Sequence, residues 1–330
     1  VFYDELHMLY PFYFQPVLKE NVWGGRLLEQ VYHKKSPAGK IIGESWEITD
    51  RAEGVSVIVN GPLAGKDLRW LMENHLQDTL GKAAALNGRY PLLVKIIDAQ
   101  QKLSLQVHPP ADKAAELGGE PKTEMWVVTQ TAPGAELFVG LRRGVTRQDF
   151  ENRLKDGTLE TCFHRIAVKP GDAVLLPSGR VHALGAGVMI FEIQQNSNTT
   201  YRLFDWNRVG LDGKPRALHI KEGLACINFE DLEPKLIRPR SKMVNGVKTS
   251  TLVNDPLFKV SRVQLAVGQT AELPCAKSLV LAVIEGRLKL DPHEGEDALA
   301  NGGFCLVPAC LKTIKVTAAE STTFLMAEPG

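Results

Sequence analysis

The stretch LSLQVHPP, residues 103–110, reads as a β-strand ended by a pair of prolines. Side chains two apart on a strand share a face. Ser104, Gln106 and His108 therefore point one way, and Leu103, Leu105 and Val107 point the other. One face is anchored in a core, while the other carries a hydroxyl, an amide and an imidazole. A metal ion would explain that polar face, because Gln106 and His108 at i, i+2 can reach a single cation.

Short strands punctuated by Gly and Pro surround this segment: PLLVKIID from residue 91, EMWVVTQ from 124, DAVLLP from 172 and GVMIFEIQQ from 187. Helices are fewer. KDLRWLMENHLQDTLG (66–81) sets Leu68, Leu71, Met72 and Leu76 on one apolar stripe. TRQDFENRLKDG (146–157) opens with Thr146 three residues before Asp149, a capping-box arrangement, and closes on Gly157. A third helix is predicted in RALHIKEGLACI, from Arg216. Charge and proline collect in EDLEPKLIRPRSK (230–242), and beyond it the chain is a series of β-segments. Many closely spaced short strands predict a sandwich or jelly roll. GDAVLLPSGRVHALG, from Gly171, has a weak echo in GGFCLVPACLKTIKV, from Gly302, which lacks the histidine. The expectation is a mainly β protein, a double jelly roll with helical insertions. A metal-binding domain would span 8–235, with a helical insert at about 65–90, and a second jelly roll without metal ligands would span 236–330.

A chain of 330 residues with 44% hydrophobic and 23% charged residues has the composition of a soluble globular protein. Its formal net charge of +1 gives no electrostatic case for nucleic acid or an anionic membrane. No run approaches the roughly 18 apolar residues of a membrane span. The five cysteines form no CxxC pair and read as reduced thiols, which makes the expected location cytoplasmic. The opening VFYDELHMLYPF lacks the flanks of a signal peptide. Met8 is one candidate for the natural start, residues 1–7 then being an extension ahead of it. No glycine-rich phosphate loop implies a nucleotide.

Two further residues extend the metal reading. Glu124 begins the next strand-like segment, and His182 ends the strand-and-turn stretch PGDAVLLPSGRVHALG. Two imidazoles, a carboxylate and an amide oxygen make a nitrogen and oxygen donor set without thiolates. That set suits zinc or, less selectively, iron, manganese or nickel.

Gly171, Pro177, Gly179 and His182 follow the spacing G-x5-P-x-G-x2-H, which resembles the second motif of the cupin jelly rolls; the usual asparagine four residues later is Ala186 here. A larger resemblance joins it. YFQPVLKENVWGG (from Tyr13), GESWEI (Gly43), PLLVKIIDAQQKLSLQVHPP (Pro91), PKTEMWVV (Pro121), GRVHALG (Gly179) and EIQQNSNTTYRLFDW (Glu192) occur in this order. Together they resemble the type I phosphomannose isomerases of the cupin superfamily, in their short bacterial form. The match runs from about residue 10 to 231.

The resemblance implies one zinc ion on Gln106, His108, Glu124 and His182, and an interconversion of mannose 6-phosphate and fructose 6-phosphate through a cis-enediol. Such a reaction needs a base beside the carbonyl carbon and positive charge where oxygen becomes negative. Glu192, alternating with Gln194 on a strand, is the favoured base, with His182 or a metal-bound water as alternatives. Arg202 in TTYRLFDW matches the family's catalytic arginine, and Lys122 matches the lysine of its K-x-E stretch. Lys95 and Ser104 match positions associated with the substrate phosphate. Trp23 and Trp46 are read either as pocket wall or as core. Two rival readings stand beside this one, an iron-dependent cupin oxygenase and a sugar-phosphate-binding protein without turnover. The oligomeric state is not legible.

Overall fold

The computed structural model describes residues 9–292 and 298–330. Met8, the candidate start, and residues 1–7 lie outside the described residues. Two compact units divide the chain, and they do not follow its order. One comprises Leu18–Ser45 and Val94–Ile237. The other comprises the described part of Val1–Val17 with Trp46–Leu93 and Arg238–Gly330. The final change of unit falls inside the charged, proline-rich stretch 230–242.

The first of these units is built on two sheets. A six-stranded sheet runs, in spatial order, Ala173–Leu176, Glu124–Thr131, Val188–Gln195, Leu92–Ala99, Ile42–Ile48 and Val17–Gly25. A five-stranded sheet runs Phe163–Ala167, Glu136–Leu141, His182–Leu184, Leu105–Val107 and Tyr201–Phe204. Alternation along the strands fills the space between them. Trp126, Val128, Val174 and Ile190 from one sheet meet Leu137, Val139 and Leu184 from the other. Phe138, between Leu137 and Val139, points to the opposite face. There, with Leu105 and Val107, it packs beneath Phe150 and Cys226, which come from the helices Arg147–Asp156 and Ile220–Cys226.

This arrangement accounts for the strand at 103–110. Leu105 and Val107 are in the helix-covered core, so Gln106 faces between the sheets. Leu103 packs in the inter-sheet core instead of beside Leu105, because the strand begins only at Leu105.

The other unit repeats the plan. Its six-stranded sheet runs from Ser241–Val244 to Phe304–Val307, and its four-stranded sheet contains Thr270–Cys275, Lys312–Ala318, Arg287–Asp291 and Leu299–Ala300. Val263, Leu281 and Phe324 share a core with Leu273, Leu290 and Ile314. The sequence echo is structural: Ala173–Leu176 and Phe304–Val307 hold the same place in the two stretches, and Thr313 stands where His182 would be. Both units are jelly rolls, and the protein is the mainly β double cupin with helical insertions that the resemblance implies.

The helices follow their caps. Asp67 accepts the Trp70 N–H at 2.7 Å to start Leu68–Leu80, and Thr146 and Asp149 form the complete capping box of Arg147–Asp156. Leu76 departs from the predicted stripe. Non-helical angles at His75 (φ −136°, ψ 34°) rotate the last turn, leaving Leu76 38% exposed and burying Thr79 and Leu80. The third helix is shorter than predicted, beginning at Ile220. All five cysteines are free, four buried and Cys310 exposed. No helix among the described residues is long and apolar enough to cross a membrane.

Candidate metal centre and substrate cavity

Strand pairing brings the predicted residues together. On the five-stranded sheet Gln106 stands directly opposite His182 on one side and Arg202 on the other. On the six-stranded sheet Glu124 opposes Gln194, and Glu192 opposes Trp126, so Glu124 and Glu192 lie near each other on adjacent strands. The turn before His182 depends on Gly179. Its φ of +86° is left-handed, and its N–H donates to the His108 carbonyl at 2.9 Å. That bond ties the two histidine-bearing segments to each other.

His108, Glu124 and His182 offer ligand atoms all within 4.8 Å of one another, and each residue is about 1% exposed. Nε2 of His108 is 3.4 Å from one oxygen of Glu124, and Nε2 of His182 is 3.2 Å from the other. The tautomers follow from the outer contacts. Nδ1–H of His108 donates to the Thr199 carbonyl at 2.8 Å, and Nδ1–H of His182 donates to the Arg180 carbonyl at 2.9 Å. A neutral ring so held turns the bare lone pair of Nε2 toward the carboxylate. His108 is kept neutral, pushed down to about 3 by burial and by the neighbouring Lys122 charge. Its Nε2 is buried without a hydrogen-bond partner among the described residues. Lone pairs facing a carboxylate repel unless a cation lies between them, so these donors fit a divalent metal ion.

Gln106 lies beside them. Its Nε2 is 3.4 Å from Nε2 of His182, and its Oε1 accepts the Ser104 hydroxyl at 3.1 Å. Turning the amide over about its last bond would exchange nitrogen for oxygen at the centre.

Beside the centre is a cavity of about 300 Å³ lined by Lys95, Ser104, Gln106, Lys122, Glu124, Glu192 and Arg202, with Trp23 in its wall. Lys122 Nζ is 2.6 Å from Glu124 and 3.4 Å from Glu192. Lys95 Nζ is 3.3 Å from Glu44 and 3.8 Å from Glu192. Burial and the adjacent Glu124 charge raise Glu192 to about 7, against the pull of Lys95 and Lys122. Burial alone would raise Glu124 too, but the Lys122 charge outweighs it and holds that carboxyl well below the ordinary carboxylate range. Arg202 donates through Nη1 to the Ala217 carbonyl at 2.9 Å, while its Nε is buried without a hydrogen-bond partner among the described residues.

Three ionisable lining residues escape the sequence reading: Glu44, Arg216 and His219. Glu44 is a charged residue inside a mostly buried strand, a signal available in IGESWEI. Arg216 and His219 are hidden by the over-long helix prediction. Residues 216–219 instead run beside Arg202, where the His219 N–H donates to the Arg202 carbonyl at 2.8 Å.

Comparison with known proteins identifies the family of the chain. The profile described as "Phosphomannose isomerase type I, catalytic domain" matches residues 12–124. The chain is 34% identical to the mannose-6-phosphate isomerase ManA of Bacillus subtilis (strain 168), over 93% of this chain and 95% of that one. It is 38% identical to the probable mannose-6-phosphate isomerase GmuF of the same strain, over 77% and 79%. The crystal structure of the mannose 6-phosphate isomerase from Bacillus subtilis superposes with a TM-score of 0.87 at 29% identity, covering 97% of this chain and 99% of that one. The chain belongs to the type I phosphomannose isomerase family.

Proposed function

We propose that this protein is a zinc-dependent aldose–ketose isomerase that interconverts mannose 6-phosphate and fructose 6-phosphate through a cis-enediol. Its place would be the cytoplasm, with a small sugar phosphate as its partner. Family membership supports the substrate pair. The observation that carries the metal dependence is the convergence of His108, Glu124 and His182, with bare imidazole nitrogens 3.4 and 3.2 Å from one buried carboxylate. Gln106 would be the fourth donor through its amide oxygen. A bound zinc ion would act as a Lewis acid toward the substrate's oxygens.

The remaining work falls to side chains. Glu192, raised to about 7, has the basicity to take a proton from the carbon beside the carbonyl near neutral pH and return it one carbon away. Lys122, 3.4 Å from Glu192, and Arg202 would offset the negative charge that develops on oxygen. Lys95 and Ser104, in the same cavity, would contact the phosphate. The ligands all lie between residues 8 and 235, and 236–330 would contribute none.

A coupled assay for fructose 6-phosphate formation by zinc-loaded protein tests this reading, and turnover is the expected result. Absence of turnover with metal bound would favour a sugar-phosphate-binding protein. Turnover of mannose 6-phosphate under anaerobic conditions would exclude an oxygenase.

A further inference from the structure

Phosphate carries up to two negative charges, yet Lys95 already faces Glu44 at 3.3 Å and Glu192 at 3.8 Å. Its net attraction for an anion is correspondingly reduced. Of the other cations in the cavity wall, Lys122 is paired with Glu124 and Glu192, which leaves Arg202 and Arg216 to meet that charge. How Arg216 is held is unusual. Asp205, only 5% exposed, accepts from Arg216 Nε at 2.7 Å and Nη2 at 2.5 Å. The same carboxylate accepts from Arg208 Nε at 3.1 Å and Nη2 at 2.7 Å. Arg208 is itself anchored by donating through Nη1 to the Lys102 carbonyl at 2.7 Å.

Residues 205–216 thus form a strap whose two ends are closed on one carboxylate. The backbone is shaped to suit. Trp206 and Asn207 are consecutive non-glycine residues in the left-handed region (φ 59° and 55°), a disfavoured pairing that surrounding contacts must enforce. Trp206 Nε1–H donates to the Leu103 carbonyl at 2.7 Å, and Lys102 Nζ lies 4.4 Å from the centre of its ring. The return end is paired with Arg202 through His219 and Ala217.

A guanidinium has two edges suited to bidentate bonding. Asp205 takes the Nε/Nη2 edge of Arg216, and Nη1 makes no hydrogen bond among the described residues. One edge is fixed by protein and the other remains for an incoming oxyanion.

We propose that Asp205 is a positioning residue that fixes Arg216 against the phosphate of the substrate, so that discrimination in favour of phosphorylated sugars depends on a carboxylate that never touches them. This rests on the sugar-phosphate reading above. It deepens that reading by adding a residue pair outside the metal centre.

The test is a double-mutant cycle on Asp205→Asn and Arg216→Gln in the zinc-loaded protein, read by KM, kcat and inhibition by inorganic phosphate. Asp205→Asn should raise KM for mannose 6-phosphate and the inhibition constant for phosphate together, by roughly tenfold, with a smaller effect on kcat. Arg216→Gln should do the same, and the double variant should be no worse than Arg216→Gln alone, because both changes remove one interaction. Fully additive losses, or a fall in kcat without a change in phosphate inhibition, would overturn the proposal. Should Asp205→Asn not fold, Arg216→Gln still decides, since unchanged phosphate inhibition there contradicts the assignment. Calorimetric binding of inorganic phosphate reads the strap without turnover. A wild-type protein that fails to isomerise the sugar, yet loses phosphate affinity on Asp205→Asn, would overturn the proposed activity and leave this inference standing.

Discussion

The rings of His108 and His182 lie with centroids 4.8 Å apart, and each is locked by an Nδ1–H bond to a backbone carbonyl. His108 directly follows the strand Leu105–Val107 and His182 opens the strand His182–Leu184, yet their free nitrogens face the same carboxylate, Glu124. Such a pair is prepared for a cation before one binds, which reduces the ordering that metal uptake must impose.

Removing a ligand should therefore remove metal and activity together. His108→Ala and Glu124→Ala are each expected to lose stoichiometric zinc by elemental analysis and to reduce turnover by at least roughly 10³-fold. Full metal content in either variant would remove that residue from the ligand set.

Arg202→Ala is expected to keep its zinc and mainly to lower kcat, by roughly 10²–10³-fold, the loss usual for a group that meets developing oxyanion charge. A normal kcat there would move that role to Lys122.

Glu192 gives the pH dependence its sign. A base must be deprotonated to act, so turnover should fall as pH drops through its pKa. Burial and the Glu124 charge raise that pKa to about 7 when no cation sits on Glu124. A cation on Glu124 cancels the second cause, so the acid limb of the loaded enzyme should lie below 7. Glu192→Gln should abolish this limb and lower kcat by roughly 10²–10⁴-fold; a surviving limb would point to His182. The metal-free protein should show the linked stability effect. Folded Glu192 binds a proton more tightly than at its ordinary value of 4.5, so stability should decline as pH rises from 4.5 to about 7. Thermal unfolding of the metal-free Glu192→Gln variant should lack that decline.

The outer contacts of His182 carry their own expectation. Arg180, whose carbonyl accepts Nδ1–H of His182, is fixed by two 2.7 Å bonds to Asp231. Asp231→Asn should loosen that carbonyl and weaken zinc binding by roughly 10–100-fold, measured by competition with a chromophoric chelator. An unchanged affinity would show that the turn holds its shape without the ion pair.

What could be read in advance follows from the range of the forces involved. Gln106, His108 and the turn before His182 were legible because strand alternation and a glycine–proline turn are local. Leu103 was misplaced because alternation holds only within a strand, and this one starts two residues later, at Leu105. Leu76 was misplaced because periodicity assumes an unbroken helix, which His75 interrupts. Arg216 and His219 were missed for a different reason. Their segment has the letters of a helix start, but pairing with Arg202 and with Asp205 holds it outside the helix, and such distant partners leave no periodic trace. Glu124 was read only as a carboxylate opening the next strand, since nothing near it in the chain announces that two histidines will converge on it.

Anomalous diffraction at the zinc edge, from crystals of protein active in the coupled assay, tests the central claim most directly. The expected result is one peak about 2.0–2.2 Å from Nε2 of His108, Nε2 of His182 and a carboxylate oxygen of Glu124, with the Gln106 amide oxygen beside it. An active crystal with no peak among these residues, or with its peak elsewhere, would contradict the account.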